Sequence, residues 1–376
     1  YRSRSGIVSF NNQILSKISE RMKSQELVPA RATLQAKLKL VRYASKYLVK
    51  PLVESISISG LEGSRAVLVR TNDEALLVSS QLTELGFRTR LLAGFEGFSI
   101  SVLVEIRFFS KELMDMINES GLILENDWFN CIDKFKEVYK STPHYQTCLE
   151  IFIKFDLAYP DNKLLVDWRD YIREIKMEDA VHEDSKSIIV STMHKSKGKE
   201  FDHVWVLVEG YDTSGNDNKR LLYVACSRAK ESLEIHTNGS FFNDIESNEL
   251  KIYDNEKETF PPTCYELILN HKEINLNSQK YPSSLQVIDQ LKTGDALKKD
   301  IKMFGESEAL GLAKSEGGNM LLFSRKFNDG KFKSFQANGY DIVGGSVEYL
   351  LYWYDKDEKK EYKIVLPRLR FEKVDK

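Results

Sequence analysis

Two segments near the start of the chain place apolar side chains at the three- and four-residue intervals of a helix. In the first, from about residue 6 to residue 22, the apolar positions are Ile7, Phe10, Ile14, Leu15 and Ile18. In the second, the apolar positions are Leu34, Leu38, Val41 and Leu48. The second helix is expected to end near Pro51, because proline lacks the backbone N–H that a helix interior requires. The beginning of the chain is therefore predicted to be helical.

A strand–helix–strand unit follows. Residues 65–70, RAVLVR, form a short β-branched run, residues 71–86 open with Thr-Asn and close on glycine as a helix does, and residues 87–93 return to a strand pattern. A connection of this kind within about 30 residues indicates parallel strands. The alternation resumes with strands at 187–192 and 203–208, a helix at 216–230 and a strand at 232–237. We therefore predict an α/β fold with a parallel sheet.

The remaining segments have a different pattern of apolar, polar and turn-forming residues. Residues from about 100 to 180 have mainly helical spacing and are predicted to be an insertion that interrupts the sheet domain. Towards the end of the chain, short strands alternate with proline and glycine turns. There, VEYLLYWY (347–354) and EYKIVLP (361–367) flank a charged turn, which predicts a β-hairpin.

The segment FSRKFNDGKFKSF (323–335) alternates phenylalanines with cations. Aromatic rings interleaved with cations can stack on bases and follow a nucleic-acid backbone. The same pattern fits a hairpin that turns at Asp329 and Gly330. Of the two interpretations we favour the hairpin.

Composition limits the class of protein. The 376 residues are enough for two or three domains at roughly 100–200 residues each. With 42% hydrophobic and 29% charged residues, and no apolar run near the ~20 residues of a membrane-spanning helix, we expect a globular protein without a membrane partner. The opening YRSRSGIVSF has no signal-peptide pattern and no initiator methionine, so we expect the chain to begin inside a longer polypeptide.

The net charge and the positions of the cysteines further limit the kinds of binding site that we expect. The formal net charge is −2, so contact with nucleic acid requires local basic patches. The four cysteines are scattered, without metal-ligand spacing, so we expect no zinc site, no disulfide framework and a cytoplasmic location.

The segment STMHKSKGKEF (191–201) is the clearest candidate for a binding site. After the predicted strand end at Thr192, a loop presents polar donors around a glycine: His194, Lys195, Lys197, Gly198 and Lys199. Hydroxyl, imidazole and ammonium groups at the end of a parallel strand suit phosphate oxygens. On charge alone, a solvated lysine-rich loop explains the segment equally well.

The spacing T-x-H-x-x-K-G-x-E-F resembles motif V of the UvrD/Rep-type superfamily 1 helicases. The resemblance implies that Thr192 and His194 contact the backbone of single-stranded DNA and that Glu200 binds the ribose of the nucleotide. We assign Lys195 and Lys197 to the DNA contact and Gly198 to the nucleotide site. Lys195 and Lys199 depart from the family pattern, and both add positive charge.

Two further segments resemble motifs of the same family. NKRLLYVACSRAK (218–230) is similar to motif VI, which implies that Arg228 reaches the γ-phosphate of ATP. A basic last turn also complements a helix dipole, so Arg228 has a structural alternative. The opening YRS resembles the end of motif IV, which implies that Tyr1 packs on the adenine and that Arg2 contacts the γ-phosphate.

The sequence lacks a phosphate cradle of the form G-x-x-x-x-G-K-[ST]. The resemblance therefore implies that ATP with Mg²⁺ binds between this chain and an N-terminal motor domain of the same polypeptide, which would supply the Mg²⁺ ligands; no metal site is expected here. An arginine of the Arg228 type changes rates by ~10³–10⁵ only where the cradle is present. The chain alone is accordingly predicted not to hydrolyse ATP.

The combined prediction is the C-terminal part of an ATP-dependent DNA helicase. The family resemblance implies that the helicase moves 3′ to 5′ on single-stranded DNA and unwinds double-stranded DNA. Its fold is expected to be a RecA-like parallel-sheet domain (1–110 and 181–245), a helical insertion (111–180), and a linker with a small β-rich C-terminal domain (246–376). Two alternatives stay open. One is a helicase-derived module that binds nucleic acid or a partner without motor activity, and the other is the motor part of a helicase–nuclease.

Overall fold

The computed structural model describes residues 3–19, 25–29, 35–92, 98–117, 120–175, 187–304, 307–314 and 321–374. The chain divides into two compact units, the first comprising Tyr1–Ala93 with Glu183–Pro262 and the second comprising Gly94–His182 with Thr263–Lys376. None of the helices in the described ranges is long and apolar enough to cross a membrane.

The first unit is built on a parallel sheet of seven strands. The strands are β1 (Lys37–Tyr43), β2 (Arg65–Val69), β3 (Thr89–Leu92), β6 (Ile188–Thr192), β7 (Phe201–Val208), β8 (Ala229–Thr237) and β9 (Leu250–Asn255). Their order across the sheet is β3-β6-β2-β7-β8-β1-β9, and every neighbouring pair is parallel. The central strands are buried along nearly their whole length, as expected where helices cover both faces of a parallel sheet.

In the described part of this unit, four helices accompany the sheet: α1 (Ser5–Ser16), α2 (Val49–Ile58), α3 (Asn72–Glu84) and α8 (Asn216–Cys226). The start of α3 is the predicted one. Thr71 Oγ1 accepts from the Glu74 N–H (3.1 Å) while the Glu74 carboxylate accepts from the Thr71 N–H (3.0 Å), a reciprocal capping box. The predicted parallel α/β fold is confirmed by the sheet and its helices.

The second predicted helix is wrong over most of its length. Residues 37–43 form β1, and α2 begins only at Val49, with Pro51 in its first turn, where proline is tolerated. β1 hydrogen-bonds to β8 on one side and to β9 on the other, and this tertiary pairing outweighs the helical spacing of its leucines. The first predicted helix ends at Ser16, and its expected end near residue 22 lies outside the described residues.

The second unit combines helices with an antiparallel sheet. Its helices are α4 (Val104–Met116), α5 (Glu125–Tyr139), α6 (Tyr145–Ala158), α7 (Leu165–Glu174), α9 (Leu276–Gln279), α10 (Pro282–Asp289), α11 (Arg325–Phe327) and α12 (Lys333–Ala337). Its strands are β4 (Leu122–Ile123), β5 (Lys163–Leu164), β10 (Cys264–Ile268), β11 (Ala296–Phe304), β12 (Ser307–Ala313), β13 (Leu321–Leu322), β14 (Tyr340–Asp355) and β15 (Lys360–Lys373). The larger sheet has the order β10-β15-β14-β11-β12-β13, and β4 pairs with β5. The predicted hairpin is confirmed as β14 and β15, closed by the pair Asp355 and Lys360.

The helices α4–α7 share one hydrophobic core with this sheet. Buried aromatic residues of the helices, such as Phe109 and Trp128, belong to the same cluster as Leu351 and Ile364 of the hairpin. The Thr293 hydroxyl also donates to the buried Glu105 carboxylate of α4 (2.7 Å). The structure thus groups the helical segment with the C-terminal strands, whereas the sequence predicted two separate segments with boundaries near 110, 180 and 245.

The hairpin favoured for residues 323–335 is wrong. Ser324 Oγ accepts from the Phe327 N–H (3.2 Å), and the chain continues through α11 and a π-helical turn (Asn328–Phe332) into α12. Phe323, Phe327 and Phe332 are all buried. The Phe327 ring packs against Phe323, with ring centres 5.1 Å apart, and against Phe332, with ring centres 6.4 Å apart. These rings therefore fill the core and are not available to stack on bases.

Candidate functional site

The loop after β6 is anchored by buried backbone contacts. The Met193 N–H donates to the Val69 carbonyl at the end of β2 (2.7 Å), and the Ser196 N–H donates to the Thr192 carbonyl (3.2 Å). Ser196 is fully buried and its hydroxyl donates to the Met193 carbonyl (2.7 Å). Thr192 Oγ1 accepts from the Lys195 N–H (3.3 Å). The first half of the loop is therefore a fixed turn.

The same turn directs two predicted contact residues outward. His194 and Lys197 are exposed, while Lys195 and Glu200 are half-buried. Gly198 has a φ of +86°, a left-handed conformation that glycine adopts without strain. Glycine at this position lets the chain reverse after Lys197 and continue towards β7.

The loop runs between opposite edges of the parallel sheet. Thr192 is opposite Val69 at the carboxyl end of β2, whereas His203 is opposite Arg65 at its amino end. Phe201 lies two residues further in the amino direction, so Thr192 and Phe201 differ by about 20 Å along the strands, at ~3.3 Å per residue. Thr192 therefore lies at the carboxyl edge of the sheet, and Glu200 directly precedes a strand that starts at the amino edge.

Arg228 lies at this amino edge, between α8 and β8. Its guanidinium donates to the Val224 carbonyl through Nε (2.9 Å), to the Lys199 carbonyl through Nη1 (3.0 Å) and to the Ser227 hydroxyl through Nη2 (2.9 Å). Its own carbonyl accepts from the Phe201 N–H (2.8 Å). These contacts hold the Arg228 side chain against the backbone directly preceding Glu200.

The contacts above do not use every N–H donor of the Arg228 guanidinium. A guanidinium carries five N–H groups, and the three contacts above use three of them. Within the described part of the chain, no acceptor is recorded for the remaining N–H on Nη1 or on Nη2. Two N–H groups of one planar fork are the geometry that binds a phosphate or carboxylate bidentately.

The beginning of the chain is anchored beside Arg228. The Ser3 hydroxyl donates to the Ala229 carbonyl (2.7 Å), and the Arg4 N–H donates to the Lys230 carbonyl (2.9 Å). Tyr1 and Arg2, both predicted to contact the nucleotide, lie outside the described residues. The contacts of Ser3 and Arg4, the residues that follow Tyr1 and Arg2, thus place the start of the described chain at the amino edge.

Asp202 adds a fixed negative charge at the same edge. Burial alone would raise its pKa, but hydrogen bonds from the Ser64 N–H (2.9 Å) and hydroxyl (2.8 Å) outweigh burial and lower the pKa below its usual value. Lys230 lies 3.7 Å from this carboxylate. In the described ranges, no group of three or more His, Cys, Asp or Glu residues is arranged to hold a metal ion.

A buried polar network elsewhere in the first unit was not predicted. The His236 ring contacts the Tyr43 hydroxyl through Nδ1 (2.7 Å) and the Glu234 carboxylate through Nε2 (2.8 Å). Lys39 Nζ (2.8 Å) and the Ser55 hydroxyl (2.5 Å) donate to the same carboxylate. The sequence signal is the alternation of polar residues along SLEIHT (232–237), which places Glu234 and His236 on one face of β8.

Comparison with known proteins gives a family match and a number of structural similarities, two of which follow. Residues 187–235 match the sequence profile described as the UvrD-like helicase C-terminal domain. The C-terminal domain of a possible DNA helicase from Lactobacillus plantarum WCFS1 is 14% identical, with a TM-score of 0.32, 67% of this chain covered and 98% of that one. VirB4 of Thermoanaerobacter pseudethanolicus is 13% identical, with a TM-score of 0.22, 55% of this chain covered and 71% of that one. At these TM-scores neither structure indicates a function, and no curated protein sequence matches the chain significantly.

Proposed function

We propose that this chain, whose residues 187–235 match the UvrD-like helicase C-terminal domain, contains the second motor domain of an ATP-driven DNA helicase and a C-terminal appendage. In this proposal its amino sheet edge forms one wall of an ATP cleft, and its carboxyl edge holds single-stranded DNA. The opposite wall, with the phosphate cradle and the Mg²⁺ ligands, belongs to a first motor domain of the same polypeptide. By resemblance to the family, movement is 3′ to 5′ and leads to unwinding of double-stranded DNA.

The contact between Arg228 and the Lys199 carbonyl carries the proposal. It holds a guanidinium with two spare N–H groups beside the backbone of Glu200. In the proposed cleft, Arg228 binds the γ-phosphate, Glu200 accepts from the ribose hydroxyls, and the turn at Gly198 brings the backbone close to the nucleotide. Arg2 adds a second positive charge at the γ-phosphate, and Tyr1 packs on the base.

The DNA contact uses the other end of the loop. Thr192, His194, Lys195 and Lys197 are proposed to contact phosphates, and the exposure of His194 and Lys197 supports this role. Lysine provides a positive charge, while hydroxyl and imidazole groups fix the position of the strand. Because such contacts read the backbone and not the bases, binding is expected to be independent of sequence.

The loop from Thr192 to Phe201 couples movement at the ATP cleft to movement of the DNA contacts. From Thr192 to Phe201 the chain could extend to at most about 30 Å, and it bridges about 20 Å with a complete turn included. With this little slack, and with Met193 and Ser196 buried, a displacement at Glu200 is transmitted to Thr192. Closure of the cleft around ATP and its opening after hydrolysis would thus shift the DNA contacts.

ATP hydrolysis by the polypeptide that contains both motor domains tests the proposal. Arg228→Gln is expected to lower kcat by about 10³-fold or more, with a smaller effect on KM, because the arginine stabilises charge that develops on the γ-phosphate. The matched control is Arg220→Gln on α8, the helix that precedes Arg228. Arg220 is exposed and paired with Asp217 (2.7 Å), so this variant should keep its activity.

The 376-residue chain alone should show no ATPase activity. Hydrolysis by the isolated chain that disappears in the Arg228→Gln variant would refute the assignment of the phosphate cradle to another domain. Equal activity of the Arg228→Gln and Arg220→Gln variants in the two-domain polypeptide would refute the catalytic role of Arg228.

A further inference from the structure

A groove in the second unit combines positive charge with aromatic rings. It has a volume of about 670 Å³ and lies between α4, α7 and the β14–β15 hairpin. Among its described lining residues, four are cationic, Arg107, Lys111, Arg169 and Arg173, and one is acidic, Glu361. The chain as a whole has a net charge of −2, so this excess of positive charge is a local feature.

The four cations are arranged as two pairs on two helices. Arg107 and Lys111 are four residues apart on α4, and Arg169 and Arg173 are four residues apart on α7, so each pair is spaced about 6 Å along its helix. All four side chains are exposed. The two walls of the groove thus each present two cations on neighbouring turns.

The ion pairs already present leave these cations available. Arg107 Nη2 lies 2.8 Å from Glu361, with 44% and 40% of the two side chains exposed. Arg173 lies 3.7 Å from Asp170, and both side chains are more than half exposed. Exposed pairs of this kind contribute little to stability, so a phosphate can replace the carboxylate at small cost.

Half-buried aromatic rings line the same groove: Phe108, Tyr139 and Tyr352. Phe108 and Tyr139 pack edge to face at 5.3 Å, and the Arg107 guanidinium lies 5.6 Å from the centre of the Tyr352 ring. Rings that are fixed by neighbours but still partly accessible offer π-faces to a flat ligand.

The groove is rigid because its two helices are locked together beneath it. The fully buried Trp168 of α7 donates through its indole N–H to the Ser110 hydroxyl of α4 (2.9 Å), and its ring packs against Phe109 at 5.3 Å. A site that is preformed in this way needs little reorganisation when a ligand binds.

We infer that this groove binds single-stranded nucleic acid, with the four cations on phosphates and the aromatic rings stacked on bases. An acidic peptide would satisfy the charges but would leave the π-faces without planar partners. Single-strand sites combine a basic groove with stacking residues and tolerate different base sequences. The inference does not depend on the ATP cleft or on the loop after β6, since every residue of the groove belongs to the second unit.

Fluorescence anisotropy with a labelled oligothymidylate of about 16 nucleotides, the upper site size of a small single-strand binding domain, provides the test. The 376-residue chain first receives Lys195→Gln and Lys197→Gln, which remove the proposed loop contacts. This protein is expected to keep binding the oligonucleotide. Adding Lys111→Gln and Arg173→Gln should then lower the slope of log affinity against log salt by about 1.4, at ~0.7 per phosphate contact.

Two further variants separate charge from stacking. Tyr352→Leu, in the same background, should weaken binding about tenfold and leave the salt slope unchanged, because it removes a ring and no charge. The matched control is Lys326→Gln with Lys333→Gln. It removes two exposed cations of the second unit that lie outside the groove and is expected to leave affinity and slope as they were.

Three results would overturn the inference: loss of all binding in the loop variant, equal effects of the groove and control variants, or tighter binding of polyglutamate than of the oligonucleotide. A fourth result bears on the loop alone. If Lys195→Gln and Lys197→Gln left binding unchanged in the otherwise native chain while the groove variants abolished it, the loop would lose its proposed DNA contact and the groove would keep its role.

Discussion

The buried network around Glu234 makes the stability of the first unit depend on pH within a defined window. Burial alone would raise the pKa of Glu234, but hydrogen bonds from His236, Lys39 and Ser55 outweigh burial and lower the pKa from 4.5 to about 2. Burial lowers the pKa of His236 and raises that of Tyr43, so both stay neutral near pH 7. Because an ionised carboxylate only accepts, His236 must donate through Nε2 and accept the Tyr43 hydroxyl proton at Nδ1.

The sign of the effect follows from the depressed pKa. A carboxyl group that ionises more readily in the folded state stabilises the protein above its unfolded-state pKa, and this contribution is lost as the pH falls from about 4.5 towards 2. At ~1.36 kcal/mol for each pKa unit, the contribution at neutral pH is at most about 3 kcal/mol. By about pH 3.5, one unit below the unfolded-state pKa, it should have fallen by about 1 kcal/mol.

Glu234→Gln isolates this contribution. The variant should be less stable than the native chain by about 3 kcal/mol at pH 7, and the difference should shrink by about 1 kcal/mol at pH 3.5. The free energy of unfolding is measured by urea denaturation. Hydrogen exchange in peptides from β7 and β8 reports on the first unit without contribution from the second.

The control is Glu231→Gln on the same strand. The Glu231 side chain is 46% exposed and lies 3.2 Å from Arg4, so this variant should cost little at either pH. A stability difference between the native chain and Glu234→Gln that stayed constant from pH 7 to pH 3.5 would refute the reasoning. The Glu234 carboxyl would then have the same pKa in the folded and the unfolded protein.

Three substitutions test local features of the fold. Thr71→Ala removes the capping box of α3 and should cost about 1 kcal/mol in urea denaturation, and an unchanged midpoint would show that the helix start is held by packing alone. Gly198→Ala places a side chain at a φ of +86° and should cost about 1–2 kcal/mol by the same measurement, although no atom lies near the added methyl group. Gly345→Ala would bring a methyl carbon to 2.4 Å from the Arg368 carbonyl oxygen, so it should lower the melting temperature of the second unit by separating β14 from β15, and a native-like melting curve would contradict this contact.

The central strands could be predicted from sequence because their environment is uniform. Strand β6 is buried throughout and β7 at every position except Asp202, so both contain short apolar runs whose neighbours in the sheet need not be known. The hairpin of β14 and β15 could be predicted for a different reason. Its pairing is local, and its charged turn separates two segments rich in aromatic and aliphatic residues.

β1 could not be predicted in the same way. Its partners are distant in sequence, Lys37 pairing with Ser232 and Leu38 with Leu250, and nothing within residues 34–48 indicates them. The phenylalanine-rich segment was misassigned as a hairpin because Phe323, Phe327 and Phe335 are separated by multiples of four residues. Positions four residues apart lie on one face of a strand and also close together on a helix, so the spacing alone does not distinguish the two. The helical structure is favoured by packing against Phe371, whose ring stacks on Phe335 at 4.5 Å, and this contact also joins residues that are distant in sequence.

For the candidate site, the sequence identified individual residues but not their division between two sheet edges. Thr192 and Glu200 are close in sequence, which favours a picture of one continuous binding surface. The strand register separates Thr192 from Phe201, the residue after Glu200, by about 20 Å, at ~3.3 Å per residue over six positions. This separation gives the short spacing of the motif a physical reason. A loop that must reach from one edge to the other with little slack tolerates few insertions. In the proposed function, the same short span is what couples closure of an ATP cleft at the amino edge to a shift of DNA contacts at the carboxyl edge.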